Sequence, residues 1–258
     1  MDILTQKQDG VLTITFNRPA KKNAITADMY QSMADALRDA ETDSAVRAII
    51  ITGSDSLFTA GNDLEDFMKN ATQLNSDGEA APIIQFMRAL AAAPKPVIAA
   101  VAGLAVGIGT TLLMHCDLVY LADNAKLTMP FSQLGLCAEF SSSLLLQRVA
   151  GYHRAAEKLL LGEAFGAEEA LGMGLANKVL PAAELHAYAQ QQAAKLVALP
   201  AASLRATKHL MKSSQTELVN QVMQEELVQF GKMLNAPEAK EAFMAFFQKR
   251  KPDFSQFT

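Results

Sequence analysis

The sequence predicts an α/β protein whose C-terminal half is helical. Three observations carry this. Short apolar runs of strand length, VLTITF at Val11–Phe16, VRAIII at Val46–Ile51 and VIAAV at Val97–Val101, alternate with helical patterns in the first half. From Ser141 onward the apolar spacing is helical almost throughout, with glycines as punctuation. The chain has 258 residues, half of them hydrophobic, enough to bury a large core.

In order, VLTITF alternates as a strand and Asn17-Arg18-Pro19 breaks it. Thr26 can cap a helix on which Met29, Met33, Ala36 and Leu37 share a face. VRAIII is continuously apolar, the mark of a strand buried on both faces. A helix is expected near Leu64–Met68 and another over Ile83–Leu90, which Pro94 and Pro96 end. VIAAV is a second buried strand, and the next helix should begin near Gly107, with Leu112–Cys116 as its apolar body. Asp117–Leu121 and Lys126–Thr128 read as short strands. Helices follow at Leu144–Val149, Arg154–Leu161, Ala167–Leu171, Ala182–Leu199, Ala202–Met211, Glu217–Leu234 and Pro237–Lys249, with one short strand within Leu175–Leu180.

Composition excludes several classes. The formal net charge is −4 with no block of like charges, so nothing marks a nucleic-acid surface. Met1–Gly10 lacks the order of a signal peptide, and the apolar run Pro96–Leu113 is broken by three glycines and two threonines, so no membrane span is expected. Cys116 and Cys137 suit buried thiols in a reducing compartment, and the cytoplasm is the expected location. His115-Cys116-Asp117 lacks ligand spacing, so no metal site is expected, and the serines at 141–143 lack a nucleophile elbow.

Three segments can carry chemistry. Phe58–Leu64 (FTAGNDL) lies between a buried strand and a helix start. Ala60 and Gly61 there permit a ligand close to the backbone, and free N–H groups favour an anion or a polarised carbonyl. A plain tight turn with Asp63 as helix cap would use the same residues. Gly103–Thr111 (GLAVGIGTT) repeats the device but matches neither a dinucleotide fingerprint nor a phosphate loop. Two donors from two such turns could converge on one oxygen. In the third segment, Met129–Ser143, Glu139 is a lone carboxylate with no Lys or Arg between Lys126 and Arg148. Buried, it would shuttle protons; exposed, it would be an ordinary helix-start acid.

Together these segments resemble the crotonase superfamily, the enoyl-CoA hydratase/isomerase family. The resemblance rests also on Asn17-Arg18-Pro19 with Asn23-Ala24, on Pro94–Ala99 (PKPVIA), on Cys116-Asp117 and on Ala170–Gly172 with Gly174–Ala176. It implies a spiral of ββα units, over residues 1–195, and a helical subdomain, over 196–258, that assembles a homotrimer or a dimer of trimers. It implies oxyanion donors at the N–H groups of Asn62 and Ile108. It also implies a coenzyme A site at Lys22, Ala24, Ala60, Asp63 and Leu64, with Phe131 on the acyl side and Phe246 and Lys249 from the last helix. Coenzyme A would arrive as part of the substrate, with no separate cofactor. Hydratases of the family carry two glutamates where this chain has Thr111 and Phe131. LGLCAEFSSS resembles instead the peroxisomal-type enoyl-CoA isomerases, in which one glutamate, here Glu139, moves the proton from C2 to C4. Another crotonase-type reaction on an acyl-CoA and a non-catalytic acyl-CoA-binding protein are the alternatives. Thr111 is expected to pack within its helix and bond its own backbone. Phe67, Phe86, Met87 and Phe131 are the candidate acyl-pocket residues.

Overall fold

The computed structural model describes residues 1–69 and 81–257. Its strands, in chain order, are β1 (Ile3–Gln8), β2 (Val11–Phe16), β3 (Ala48–Thr52), β4 (Leu57–Thr59), β5 (Val97–Val101), β6 (Leu104–Val106), β7 (Leu118–Ala122), β8 (Lys126–Thr128), β9 (Phe165–Gly166) and β10 (Lys178–Leu180). One sheet runs β1-β2-β3-β5-β7-β10 and a second runs β4-β6-β8-β9. All pairings are parallel except the β1–β2 hairpin and β8–β9. Asp9 and Gly10 close the hairpin with φ of 49° and 80°, the double left-handed turn that matches strand twist.

The helices are α1 (Ala27–Thr42), α2 (described over 64–69), α3 (Pro82–Ala92), α4 (Ile108–Thr111), α5 (Ser142–Ala150), α6 (Tyr152–Leu161), α7 (Ala167–Gly172), α8 (Ala182–Ala198), α9 (Ala201–Ser213), α10 (Thr216–Leu234) and α11 (Pro237–Phe247). Thr26 caps α1, its hydroxyl accepting from the Met29 N–H.

The central strands are covered on both faces. In β3 and β5 every residue is buried. Ile49, Ile51, Val97, Ala99 and Val101 share one core with Met33 and Leu37 of α1 and Leu90 of α3. The alternate residues Ala48, Ile50, Ile98 and Ala100 share a second core with Leu185, Ala189 and Ala193 of α8. Small residues on that second face and on α8 let the helix approach closely. Each buried Val or Ile contributes about 1.5–3 kcal/mol relative to exposure, so these two layers dominate the stability.

Four strands escape a reading by periodicity. In β1 only Ile3 is buried, because an edge strand with one wet face needs little apolar sequence. The strands β4, β6 and β9 are two or three residues long and lie in turn-rich segments, so their pairing is tertiary. The expected helix at Leu112–Cys116 is also corrected. The chain makes a single α turn, α4, then tightens to a 3-10 turn over Leu112–His115. No helix among the described residues is long and apolar enough to cross a membrane.

The later helices are tied back to the sheet by polar contacts. Lys208 of α9 is buried, donating to the Lys95 carbonyl at 2.8 Å and pairing with Asp117 at 2.6 Å. Asp117 in turn accepts the Val97 N–H at 2.8 Å, which locks α9 to the start of β5. Helix α10 packs on α5 and α11.

Candidate active site

The first turn is assembled by the loop before α1. Asn23, buried at a φ of 53°, donates to the Phe58 carbonyl and accepts the Arg18 N–H. Thr59 donates through its hydroxyl to the Asn23 carbonyl at 2.6 Å and accepts the Gly61 N–H. Arg18 pairs with Asp63 at 2.7 Å and donates to the Ala24 carbonyl. Burial pushes the Asp63 carboxyl up, but Arg18 and the Asp66 N–H together hold it below its usual range. The Asn17-Arg18-Pro19 and Asn23-Ala24 pattern is therefore the scaffold of the AGND turn.

That turn aims a donor. Ile25 bridges Asn62 in parallel fashion, through Ile25 N–H to the Gly61 carbonyl and Asp63 N–H to the Ile25 carbonyl. In such a bridge the flanking residues make both bonds, so the N–H of Asn62 points to the opposite side. Gly61 has φ +83°, and a Cβ there would stand 2.7 Å from the Val106 carbonyl oxygen. Only glycine allows this approach of the first turn to the second.

The second turn sits beside it because β4 and β6 pair in parallel. Gly107, at φ 56° and ψ −117°, precedes α4, a conformation that side chains reject. The N–H groups of Thr110 and Thr111 both return to the Gly107 carbonyl, while that of Ile108, first in the helix, has no backbone acceptor among the described residues. Thr110 anchors this turn, donating to the Ala105 carbonyl at 2.6 Å. A Cβ on Gly109 would lie 2.5 Å from Thr59 Cγ2, so the two turns are in contact at two glycines.

Glu139 lies under this arrangement. Its side chain is buried, and Thr111 Oγ1 donates to Glu139 Oε1 at 2.5 Å. Burial raises its pKa to about 8; the Thr111 bond opposes the rise and the charge of Glu226 adds to it. Tyr30 of α1 is buried nearby, its hydroxyl donating to Asn62 Oδ1. Burial, with a contribution from Glu139, holds that phenol well above its usual pKa.

One expectation is corrected by this geometry. The Thr111 hydroxyl bonds Glu139 rather than its own helix, because every residue of this single turn, packed on β6 and β8, faces the interior. Phe246 is exposed at 60%, and its ring contact is with Phe247. Among the described residues no hydrogen bond or ring contact joins Phe246 or Lys249 to the 22–24 or 60–64 segments; α11 packs on α10 and the 132–134 turn. Phe86 and Met87 are fully buried core residues, Phe86 against Tyr30 and Phe140.

The remaining candidates do gather. The Lys22 carbonyl accepts the Ala60 N–H at 3.0 Å, so the 22–24 and 60–64 segments are neighbours. Asp63 caps α2 through the Asp66 N–H at 3.2 Å, and Leu64 packs on the main core. Phe131 is buried beside Gly107, edge-on to Phe230, which also meets Phe67 edge-on.

Tyr30, Thr111 and Glu226 were not singled out as functional partners by sequence. Glu226 carried a signal: with Met223 and Phe230 it occupies the buried face of α10, an acid where periodicity demands an apolar residue. Tyr30 carried none, because a tyrosine on a buried helix face looks like any aromatic core residue.

Comparison with known proteins agrees with this architecture. The family model described as enoyl-CoA hydratase/isomerase matches residues 6–257. Enoyl-CoA delta isomerase 2 of Rattus norvegicus is 36% identical over 96% of this chain, although the chain spans only 64% of that protein's length. The 1,2-epoxyphenylacetyl-CoA isomerase of Escherichia coli strain K12 is 34% identical over 98% of both chains. Among solved structures, Pseudomonas aeruginosa OdaA superposes with a TM-score of 0.92 at 46% identity, covering 95% of this chain and 98% of that one. Two glycine turns beside one buried glutamate, carried on this two-sheet scaffold, go with the match along nearly the whole chain: it belongs to the enoyl-CoA hydratase/isomerase family, the crotonase superfamily.

Proposed function

We propose that the protein isomerises 3-enoyl-CoA thioesters to 2-enoyl-CoA with Glu139 as the one proton shuttle. The observation that carries the reading is a buried carboxylate raised to about 8 and bonded by Thr111, with Thr111 and Phe131 where a hydratase would hold its two acids. The ionised carboxylate takes a proton from C2. Negative charge moves onto the thioester oxygen, where the N–H groups of Asn62 and Ile108 hold the dienolate. The protonated carboxyl then delivers the same proton to C4. No water enters, so no second base is required. Glu226 does not replace the missing acids, since its oxygens are occupied by Ser141 and Ser143.

In this reading coenzyme A is part of the substrate, held by the backbone at Lys22, Ala24 and Ala60 beside Asp63 and Leu64. Phe131 bounds the acyl group, and no separate cofactor acts. Phe246 and Lys249 would reach the coenzyme from a neighbouring subunit. Exposed Leu210, Met211, Val228, Met244 and Phe247 on α9–α11 support a homotrimer or dimer of trimers, to be checked by sedimentation velocity.

The test is the appearance of conjugated 2-enoyl thioester absorbance from a 3-enoyl-CoA, with wild type and Glu139→Gln compared. Loss of the shuttle should lower kcat by about a hundredfold to ten-thousandfold. Full activity in Glu139→Gln would sink the assignment. Conversion of a different thioester alone would favour another reaction of the family, and binding without turnover of any acyl-CoA would favour a non-catalytic role.

A further inference from the structure

Glu226 is a buried acid that the proposed chemistry does not use. It lies on α10, 87 positions beyond the base in sequence, and is 8% exposed. Its three bonded donors all come from the chain immediately after Glu139: Ser141 N–H at 2.5 Å, Ser143 N–H at 3.0 Å and Ser143 Oγ–H at 2.5 Å. No cation is among its partners in the described residues. A buried carboxylate without a counter-charge is costly unless its lone pairs are filled by donors, and here they are filled by one short segment.

That segment needs holding. Phe140 and Ser141 are consecutive non-glycine residues in the left-handed region, at φ 58° and 57°. Each costs on the order of 1 kcal/mol or more and persists only when its surroundings enforce it. Ser141 has no side-chain cap to offer α5, and its hydroxyl is spent on the Val219 carbonyl of α10 at 2.8 Å. Glu226 supplies the acceptors that an N-cap residue would otherwise provide at the start of α5. On the other side the Phe140 carbonyl accepts from His115 Nε2 at 2.8 Å, with the two rings stacked 3.8 Å apart. Burial holds the His115 pKa down at about 3, so the ring is neutral and its Nε2 carries the proton.

We infer that Glu226 is the positioning residue of the base: from α10 it holds the left-handed turn at Phe140–Ser141 that presents the Glu139 carboxyl to Thr111. The inference rests on the reading of Glu139 as the proton shuttle. It makes the C-terminal helices part of the catalytic geometry. The groups that face the two acids are Tyr30 from α1, Thr111 from α4, and Cys137, Ser141 and Ser143 from the chain around them; none supplies a positive charge.

The test compares wild type with Glu226→Gln, whose amide keeps the shape but sets an N–H2 group against the N–H donors. Two readouts are taken on protein shown to be folded by circular dichroism. With a 3-enoyl-CoA, kcat should fall about tenfold to a hundredfold while KM changes little, the signature of a displaced catalytic group. Without substrate, the carboxyl band of Glu139, identified by its loss in Glu139→Gln, is titrated by infrared spectroscopy. Its midpoint should move down by about one unit or more in Glu226→Gln, since a neighbouring negative charge is removed and the loosened turn lets water in. A Glu226→Gln protein with unchanged kcat and an unchanged Glu139 midpoint overturns the inference. If the substitution prevents folding, Ser143→Ala, which removes the hydroxyl donor alone, should shift both readouts in the same direction by less, and no shift there overturns it. The titration does not depend on turnover. A wild type inactive on 3-enoyl-CoA therefore discards the isomerase reading, while the midpoint still decides the role of Glu226.

Discussion

Thr111 Oγ1 donates to Glu139 Oε1 from the same single-turn helix whose first residue, Ile108, offers its free N–H at the second glycine turn. The hydrogen-bond partner of Glu139 and the Ile108 N–H are thus carried by one turn of backbone, which Thr110 bolts to β6. At the position where the resemblance expects a hydratase acid, Thr111 places a hydroxyl donor on Glu139. In the proposed mechanism that donor tunes the shuttle, opposing the rise that burial causes.

The first prediction concerns that tuning. The Thr111 hydroxyl stabilises the ionised form of Glu139 and opposes the rise caused by burial. Thr111→Val keeps the shape and removes the donor, so the Glu139 pKa should climb by about one unit or more. The acidic limb of the kcat/KM profile should then move to higher pH, with activity at pH 7 roughly tenfold lower and a smaller deficit at high pH. Thr111→Ser should restore the wild-type limb. A profile unmoved by Thr111→Val would show that the bond does not act on the reacting carboxylate.

Burying Glu139 has a consequence for stability. Its folded-state pKa of about 8 lies above the ordinary 4.5, so between those values the native chain holds a proton that the unfolded chain has released. The stability linked to this group is complete below about pH 4.5 and is lost as pH rises through about 8. Glu139→Gln is neutral throughout. It should match wild type near pH 4 and be more stable at pH 9 by on the order of a few kcal/mol, read as a higher Tm. Glu226, also raised by burial, adds a trend of the same sign to both proteins.

Gly61→Ala should cost activity more than it costs fold. The new Cβ would meet the Val106 carbonyl at 2.7 Å in a left-handed backbone, so the two turns must separate. A displacement of about 1 Å at the proposed oxyanion donors should lower kcat by about a hundredfold. Circular dichroism should be unchanged, and wild-type kcat in this variant would argue against any role for the Asn62 N–H.

The Lys208–Asp117 pair is a test of how the last helices are held. Lys208→Met leaves a largely buried Asp117 with the Val97 N–H as its remaining bond and removes a donor from the Lys95 carbonyl. Breaking a buried pair from one side should destabilise the chain by about 3 kcal/mol, read as a lower midpoint in urea. Replacing both partners, as Lys208→Met with Asp117→Leu, should recover part of the loss.

The α/β class, the strands at Val11–Phe16 and Val97–Val101 and the helical second half were legible because burial imposes a period on the sequence. A strand buried on both faces must be apolar throughout, and a helix on a core must repeat its apolar residues at helical spacing. The two glycine turns were legible for a related reason: Gly61 and Gly107 have backbone conformations or contacts that no side chain tolerates. What tertiary structure alone decided is how separated residues meet. Nothing in the spacing of Tyr30, Thr111, Glu139 and Glu226 announces that four elements bring them to one buried site, because contact between distant positions leaves no period behind. The sequence could name Glu139 as a candidate base. Its burial, its raised pKa and the clamp from α10 exist only once the sheets and the C-terminal helices have packed, since each depends on the removal of water by residues far away in the chain.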